Sequence, residues 1–284
     1  MTNLTEHTRR VWNPMTGCTK LSPGCDNCYV ERIASRLSER YFDGEEKYHS
    51  YALGFTFREH LDRLLDPYYL GPSILEVNSM SDLFHENATL EFQQMVFKAM
   101  NECPHILFQV LTKRPERVLE LADNFNFTPN IWLGTSVAVN GSLGYIEHLR
   151  QVPAAVRFVA FEPLLELIQD VNLDGIHWVT VGGESPGWGN AMRACELEWI
   201  SRIVQQCDEQ KVAVFIKQLG GFLGKKMGMV NAKGFPDLKG GEFEKFPLHL
   251  QRREYPIDVD AFLSQWVEVE SPIKGTFRKW ISKS

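Results

Sequence analysis

Three of the six cysteines in this 284-residue chain fall in one stretch, Cys18-Thr19-Lys20-Leu21-Ser22-Pro23-Gly24-Cys25-Asp26-Asn27-Cys28, with the spacing C-x6-C-x2-C. Pro23, Gly24 and the preceding Gly17 make this a loop able to wrap around a bound group. Thiols this close, in a chain with no secretory features, are expected to bind metal rather than to form disulfides. A structural zinc site takes four ligands, usually as two close pairs. Here Cys103, Cys195 and Cys207 are isolated, and no nearby His completes a second pair. Iron–sulfur clusters also usually take four thiolates. Three thiolates therefore point to a [4Fe–4S] cluster on Cys18, Cys25 and Cys28 with one iron open to an outside ligand. A zinc-stabilised binding protein with a distant fourth ligand is the alternative.

The elements that must position these cysteines follow a regular rhythm. Val30, Ile33, Ala34 and Leu37 recur at helical steps after Tyr29. Apolar runs at Ser73 to Val77, Ile106 to Leu111, Asn130 to Leu133, Val156 to Phe161, Ile176 to Val181 and Val212 to Ile216 read as buried strands. Between them, Leu90 to Asn101, Glu116 to Ala122, Leu143 to Gln151 and Glu196 to Glu209 read as helices, with a short helical remnant at Leu165 to Ile168. Val11 to Asn13 and the alternating stretch Leu53 to His60 are weaker strand candidates and bring the count to eight. Strands alternating with helices imply a parallel sheet. Each clear strand runs into polar residues at its C-terminal end, the active face of a (β/α) barrel. The expected fold is therefore α/β, a full or partial TIM-like barrel, with a doubly wound open sheet as the runner-up. Residues 1–220 are expected to form the barrel. Residues 221–284 are expected to form a C-terminal cap, with Gly220 to Pro256 irregular or a β-hairpin, a final helix at Asp258 to Glu268, and Phe277 to Ile281 packed on the barrel's side.

Composition narrows the function classes. A net charge of −6 argues against a protein that coats DNA non-specifically. No run of eighteen apolar residues is present, and Met1 to His7 has no apolar signal region, so no membrane association and a cytoplasmic location are expected. Neither G-x-G-x-x-G nor a P-loop is present, which leaves a nucleotide-binding Rossmann reading without a motif.

Trp12-Asn13-Pro14-Met15-Thr16-Gly17-Cys18 through Cys28-Tyr29, followed by Asn78-Ser79-Met80-Ser81-Asp82-Leu83-Phe84-His85, resembles the three-cysteine-motif proteins of phages and mobile elements. Those proteins are a divergent radical S-adenosylmethionine family. Further matching blocks are Leu111 to Pro115, Leu133 to Val137, Phe161 to Leu164, Val181 to Ser185 and Phe215 to Gln218, in family order over residues 11 to 250. The first cysteine gap is six residues, where radical enzymes of this type usually have three. The resemblance implies a [4Fe–4S] cluster that reduces S-adenosylmethionine to a 5′-deoxyadenosyl radical, fed by an electron donor such as flavodoxin or ferredoxin. It implies action on a nucleotide or DNA base in a phage-infected bacterial host, by isomerisation or carbon–carbon bond formation on a modified thymine. A radical DNA-repair lyase is the alternative within this chemistry. From their places at the strand ends, Tyr29, Asn78, Ser79, Asp82, Thr112, Lys113, Thr135 and Ser136 are expected around such a cofactor, with Lys113 or Arg114 on its carboxylate. Glu162 and Glu184 are the candidate catalytic acids. Arg193, Lys217 and Gln218 are expected on the substrate, with Arg193 on its anionic group. His85 is expected to be structural.

Overall fold

The computed structural model describes residues 10–186, 192–269 and 279–283. Its frame is one seven-stranded parallel sheet, curled into a half-barrel, with the strands in chain order across it. In that order they are β1 (Arg10–Trp12), β4 (Ser73–Val77), β5 (Ile106–Thr112), β6 (Ile131–Ser136), β7 (Val156–Phe161), β8 (Trp178–Gly182) and β9 (Ala213–Gln218). Every crossover steps to the next strand in the same direction. A doubly wound sheet would reverse at a switch point, so the topology favours the partial barrel over that runner-up. Two short strands, β2 (Met15–Thr16) and β3 (Arg58–Glu59), form a separate antiparallel pair.

Alternation along the strands sorts the side chains onto two faces. The convex face, including Phe108, Val110, Ile131, Leu133, Val159 and Val179, joins the main core under α2 (Leu90–Glu102), α4 (Gly144–Gln151) and α5 (Leu197–Gln210). The concave face holds a second cluster, Leu107, Trp132, Val156, Phe158, Trp178 and Phe215. The remaining helices are α1 (Tyr29–Phe42), α3 (Pro115–Leu121), α6 (Gly220–Lys226) and α7 (Val259–Ser264). Helix boundaries follow local chemistry. The Thr89 hydroxyl accepts from Phe92 N at the start of α2, and Lys211 ends α5 in the left-handed region at φ 58°.

The C-terminal part closes the concave face. Arg252 to Glu254 runs antiparallel to β9, with Ile216 N donating to Arg252 O at 2.9 Å and Glu254 N to Val214 O at 3.0 Å. This covers a sheet edge that would otherwise present unpaired backbone groups. Tyr255 stacks on Trp178, and Val259 and Phe262 of α7 pack onto the same cluster. The antiparallel hairpin β10 (Trp266–Val269) and β11 (Lys279–Ser282) follows, and Trp280 stacks on His105 at the start of β5.

Four expectations are corrected. Leu53 to His60 is not a barrel strand. Its last residues form β3, and Phe57 leaves the alternation to stack on His85 at 4.3 Å. Leu165 to Ile168 is not helical. The β7–β8 crossover is an extended loop whose Leu164, Ile168, Val171, Leu173 and Ile176 fill the place of a helix in the main core. Gly220 to Pro256, expected to be irregular or a hairpin, opens instead with the helix α6. The rest is irregular, with one small antiparallel turn in which Asn231 N donates to Phe235 O and Asp237 N to Met229 O, and Leu223, Met229, Phe246 and Leu250 join the main core. The helix expected to run to Glu268 stops at Ser264, and Trp266 opens the hairpin instead. Met1 to His7 and residues 277 and 278 of the tail lie outside the described residues. Among the described residues, no helix is long and apolar enough to cross a membrane.

Trp178 joins strand and cap: it is fully buried, and its indole Nε1–H donates to Glu254 O at 2.7 Å. Trp178→Ala is expected to cost about 3–5 kcal/mol and to open the segment after residue 252 to limited proteolysis. Denaturant unfolding and mapping of the first cleavage site check this; an unchanged midpoint with cleavage elsewhere would contradict it.

Candidate functional site

The cysteine loop lies across the C-terminal ends of the parallel strands. Gly17 N donates to Met80 O at 3.0 Å, and the Ser81 hydroxyl donates to Gly17 O at 2.6 Å, fixing the loop's start beyond β4. Gly17 adopts φ +78°, and a side chain there would stand 2.2 Å from the Thr56 carbonyl carbon, so only glycine fits. At the middle of the loop, Gly24 sits against Ala138 and Pro163, beyond β6 and β7. Gly24 is the centre of a turn at Pro23–Cys25, and α1 starts directly after Cys28. Thr16, just before the loop, is held by His60, with Oγ1 and Nε2 2.8 Å apart.

Beyond β4 and β5 a buried ionic network anchors Cys18. The Asp82 carboxylate accepts from Phe84 N at 2.9 Å, Thr112 Oγ1 at 2.7 Å, Lys113 N at 3.0 Å and Arg114 Nη1 at 3.0 Å. Arg114 also donates to Glu86 at 2.9 Å, to Thr19 Oγ1 at 2.7 Å and to Cys18 Sγ at 3.7 Å. His85 Nδ1 accepts from Asn87 N, which leaves Nε2 to donate to Thr19 Oγ1. Burial, then the Arg114 charge, lowers the His85 pKa. His85 is thus neutral and structural.

At the far strand ends two further clusters face the loop. Glu162, just past β7, accepts from Thr180 Oγ1 at 2.6 Å and pairs with Lys217 Nζ at 2.5 Å, while the Ser136 hydroxyl donates to Glu162 O at 2.7 Å. Gln218 Nε2 donates to Gly183 O at 2.7 Å. Gly183 is where the chain past β8 meets the Leu219–Gly220 backbone, and a side chain there would lie 2.4 Å from Leu219 O. This close approach sets the position of Glu184. Glu184 accepts from Arg193 N at 2.7 Å, from Arg193 Nε at 3.0 Å, from Arg193 Nη2 and from Asn27 Nδ2 at 3.1 Å. Burial raises the Glu184 carboxyl, but these hydrogen bonds outweigh it and hold the pKa below the ordinary range. Arg193 Nη1 also lies 3.4 Å from Asp26.

The structure brings most of the expected residues to one rim and assigns several of them internal work. Ser79 donates to Asn13 Oδ1 at 3.3 Å beside the loop, and Tyr29 opens α1 with 42% of its surface exposed. Asn78 sits in the left-handed region at φ 57° and accepts from Met15 N. Thr135 follows the convex-face parity of Leu133 and Val137, is fully buried and donates to Thr112 O at 3.0 Å. The guanidinium of Arg193, expected on an anionic substrate group, is bound to Glu184. Residues 187–190 of the glycine-rich stretch that precedes it lie outside the described residues. Thr19, Asp26, Asn27, Glu86 and Thr180 join the site without being specified by any sequence motif. For Thr19, Asp26, Asn27 and Thr180 the only signal is polarity next to a cysteine or inside an apolar strand, and Glu86 carries none beyond its place after His85.

All six cysteines are free. Cys103, Cys195 and Cys207 lie in the main core, where burial pushes each thiol up to about 12. The loop cysteines are only partly buried and stand among charges. Burial and then the Asp82 charge raise the Cys18 thiol, more than Arg114 lowers it. Burial also raises Cys25, but the Lys113 charge and hydrogen bonds at Leu21 and Ser22 outweigh it, so its pKa lies below the ordinary value. Among the described residues, no three His, Cys, Asp or Glu side chains are grouped so as to hold a metal ion.

Fold and site together define a parallel α/β half-barrel protein with a polar, cysteine-bearing rim at the C-terminal strand ends. Residues 2–247 match the family described as Protein of unknown function (DUF5131), and the chain belongs to that family. No curated protein and no solved structure matches it.

His60 gives the loop's support a pH dependence. Burial, then the Arg63 charge, lowers its pKa from 6.5 to about 4. The unfolded chain therefore takes up this proton first. The His60 contribution is whole above pH 6.5 and is lost as the pH falls from 6.5 towards 4. His60→Gln is expected to flatten the stability profile across that window, measured by denaturant unfolding at each pH; an equally steep profile would contradict this.

Proposed function

We propose that this chain is a radical S-adenosylmethionine enzyme whose cluster is held by Cys18, Cys25 and Cys28. The observation that carries the reading is the cysteine loop lying across the C-terminal ends of β4, β6 and β7. The donor set suits such a group: three free thiols on one loop, with Arg114 beside Cys18 and the Lys113 charge acting on Cys25. Their side chains are not gathered as around a metal ion, so loading requires them to turn towards a common centre. The bound cluster and cofactor would supply a 5′-deoxyadenosyl radical for hydrogen abstraction.

In this reading the chain's own residues divide by position. Ser79, bonded to Asn13 ahead of the cysteine loop, and Lys113, whose charge acts on Cys25, orient the cofactor's amino acid end. Ser136 sits at the end of the concave face and bounds the ribose. Glu162 and Lys217 are the proton-carrying pair next to the reacting atoms, with Thr180 fixing the carboxylate and Gln218 beside it. The substrate is proposed to be a nucleotide or a DNA base, with a modified thymine as the specific case. A flavodoxin or ferredoxin in a reducing cytoplasm is the proposed electron source.

Anaerobic reconstitution with iron and sulfide tests this. The wild-type chain is expected to take up about four irons, with the broad visible absorption of a thiolate-bound cluster, and to release 5′-deoxyadenosine from S-adenosylmethionine under reduction. Cys18→Ala, Cys25→Ala and Cys28→Ala are each expected to lose both properties; Cys103→Ala, Cys195→Ala and Cys207→Ala are expected to keep them. Full iron content and normal cleavage in Cys18→Ala would overturn the assignment. Stoichiometric zinc without iron would establish a binding protein instead.

A further inference from the structure

We infer that Glu184 is a positioning residue: it anchors the Cys25–Cys28 half of the cysteine loop to the end of β8. Asp26 and Asn27 are the two residues between those cysteines. Asn27 Nδ2 donates to Glu184 Oε2 at 3.1 Å, and Asp26 is 3.4 Å from the arginine that Glu184 binds. Both residues between the cysteines are therefore tied to one carboxylate, Asn27 directly across 157 positions of the chain and Asp26 through Arg193.

Glu184 is built for that task. Only 4% of its surface is exposed, and both carboxylate oxygens are engaged. Gly221 N donates to its backbone carbonyl at 2.9 Å, so α6 fixes its main chain as well. A carboxylate committed to this many donors holds geometry, and a general base needs a free oxygen near its proton. The Cys18 half of the loop has its own anchor in Arg114 and Thr19, beyond β5. The loop is thus held at two separate points, and losing one leaves the other in place.

This assignment draws on the proposed cluster only for what the loop carries, and thiol reactivity tests it without the cluster. The full-length chain, freed of metal by chelation under anaerobic reducing conditions, is alkylated and each cysteine's rate is followed by mass spectrometry. In Glu184→Ala, Cys25 and Cys28 are expected to react about tenfold faster or more, the scale of losing a hydrogen bond to a charged group. Cys18 and the core thiols Cys103, Cys195 and Cys207 are expected to keep their rates. Glu184→Gln retains an oxygen for Asn27 and is expected to restore slow labelling in part. Should Glu184→Ala fail to fold, Asn27→Ala removes the same tie alone and is expected to give the same selective rise. Unchanged rates at Cys25 and Cys28 would overturn the inference, as would an equal rise at all six cysteines, which reports global loosening. A selective rise in a chain that takes up no iron upholds the anchor and removes the cluster reading.

Discussion

The Asp82 carboxylate is the interaction on which the rest of the site depends. It is nearly inaccessible to solvent, yet its oxygens bind two backbone N–H groups, a hydroxyl and a guanidinium drawn from the ends of two adjacent strands. A charge buried this way is tolerated only when it is paired and its lone pairs are satisfied. Because Arg114 must face Asp82, its remaining donors are aimed at Thr19, Glu86 and Cys18. One carboxylate thus sets the turn after β4, the end of β5 and the start of the cysteine loop together.

The sheet supplies the frame for this arrangement. Strands buried on both faces leave little freedom in register, and their parallel order carries every strand end to one rim. The concave face is filled at its lower level by Trp132, Phe158, Trp178 and Phe215, with Tyr255 over them. Thr180, Glu162 and Lys217 meet on that face near the rim, while Gln109 and Glu76 lie level with Trp132 further down. The aromatic layer excludes water beneath the rim, and the charged pairs above it act in a medium of lower dielectric than bulk solvent.

Much of this was legible in the chain. The strand at Ser73 to Val77 and the one at Val156 to Phe161 were readable to the residue, because an unbroken apolar run between polar turns has few other uses. The gathering of Asn78, Lys113, Ser136 and Glu162 at one rim followed from strand ends in a parallel sheet. Orientation within the rim was not legible. Thr135 looks like a site residue next to Ser136, but strand alternation turns it to the helix side, where its hydroxyl binds Thr112 O. Arg193 looked free to bind an anion because nothing in its neighbourhood announces Glu184, nine residues earlier, as its partner. The roles of Asn27 and Thr19 depend on contacts with residues 157 and 95 positions away, which no local pattern encodes. The segment Leu53 to His60 failed for another reason: its alternation is real, but Phe57 stacks on His85 and the chain pairs only at β3.

The central claim is that Asp82 fixes the cysteine loop to the strand ends. Amide hydrogen exchange on Asp82→Asn tests it most directly, since the substitution keeps the shape and removes the charge that Arg114 faces. Breaking a buried pair of this kind costs about 3–5 kcal/mol. The account predicts that protection is lost across residues 17–20 and 112–114 while the centres of β6, β7 and β8 keep theirs relative to the global stability of the variant. Wild-type protection at residues 17–20, or a loss spread evenly over the sheet, would contradict it.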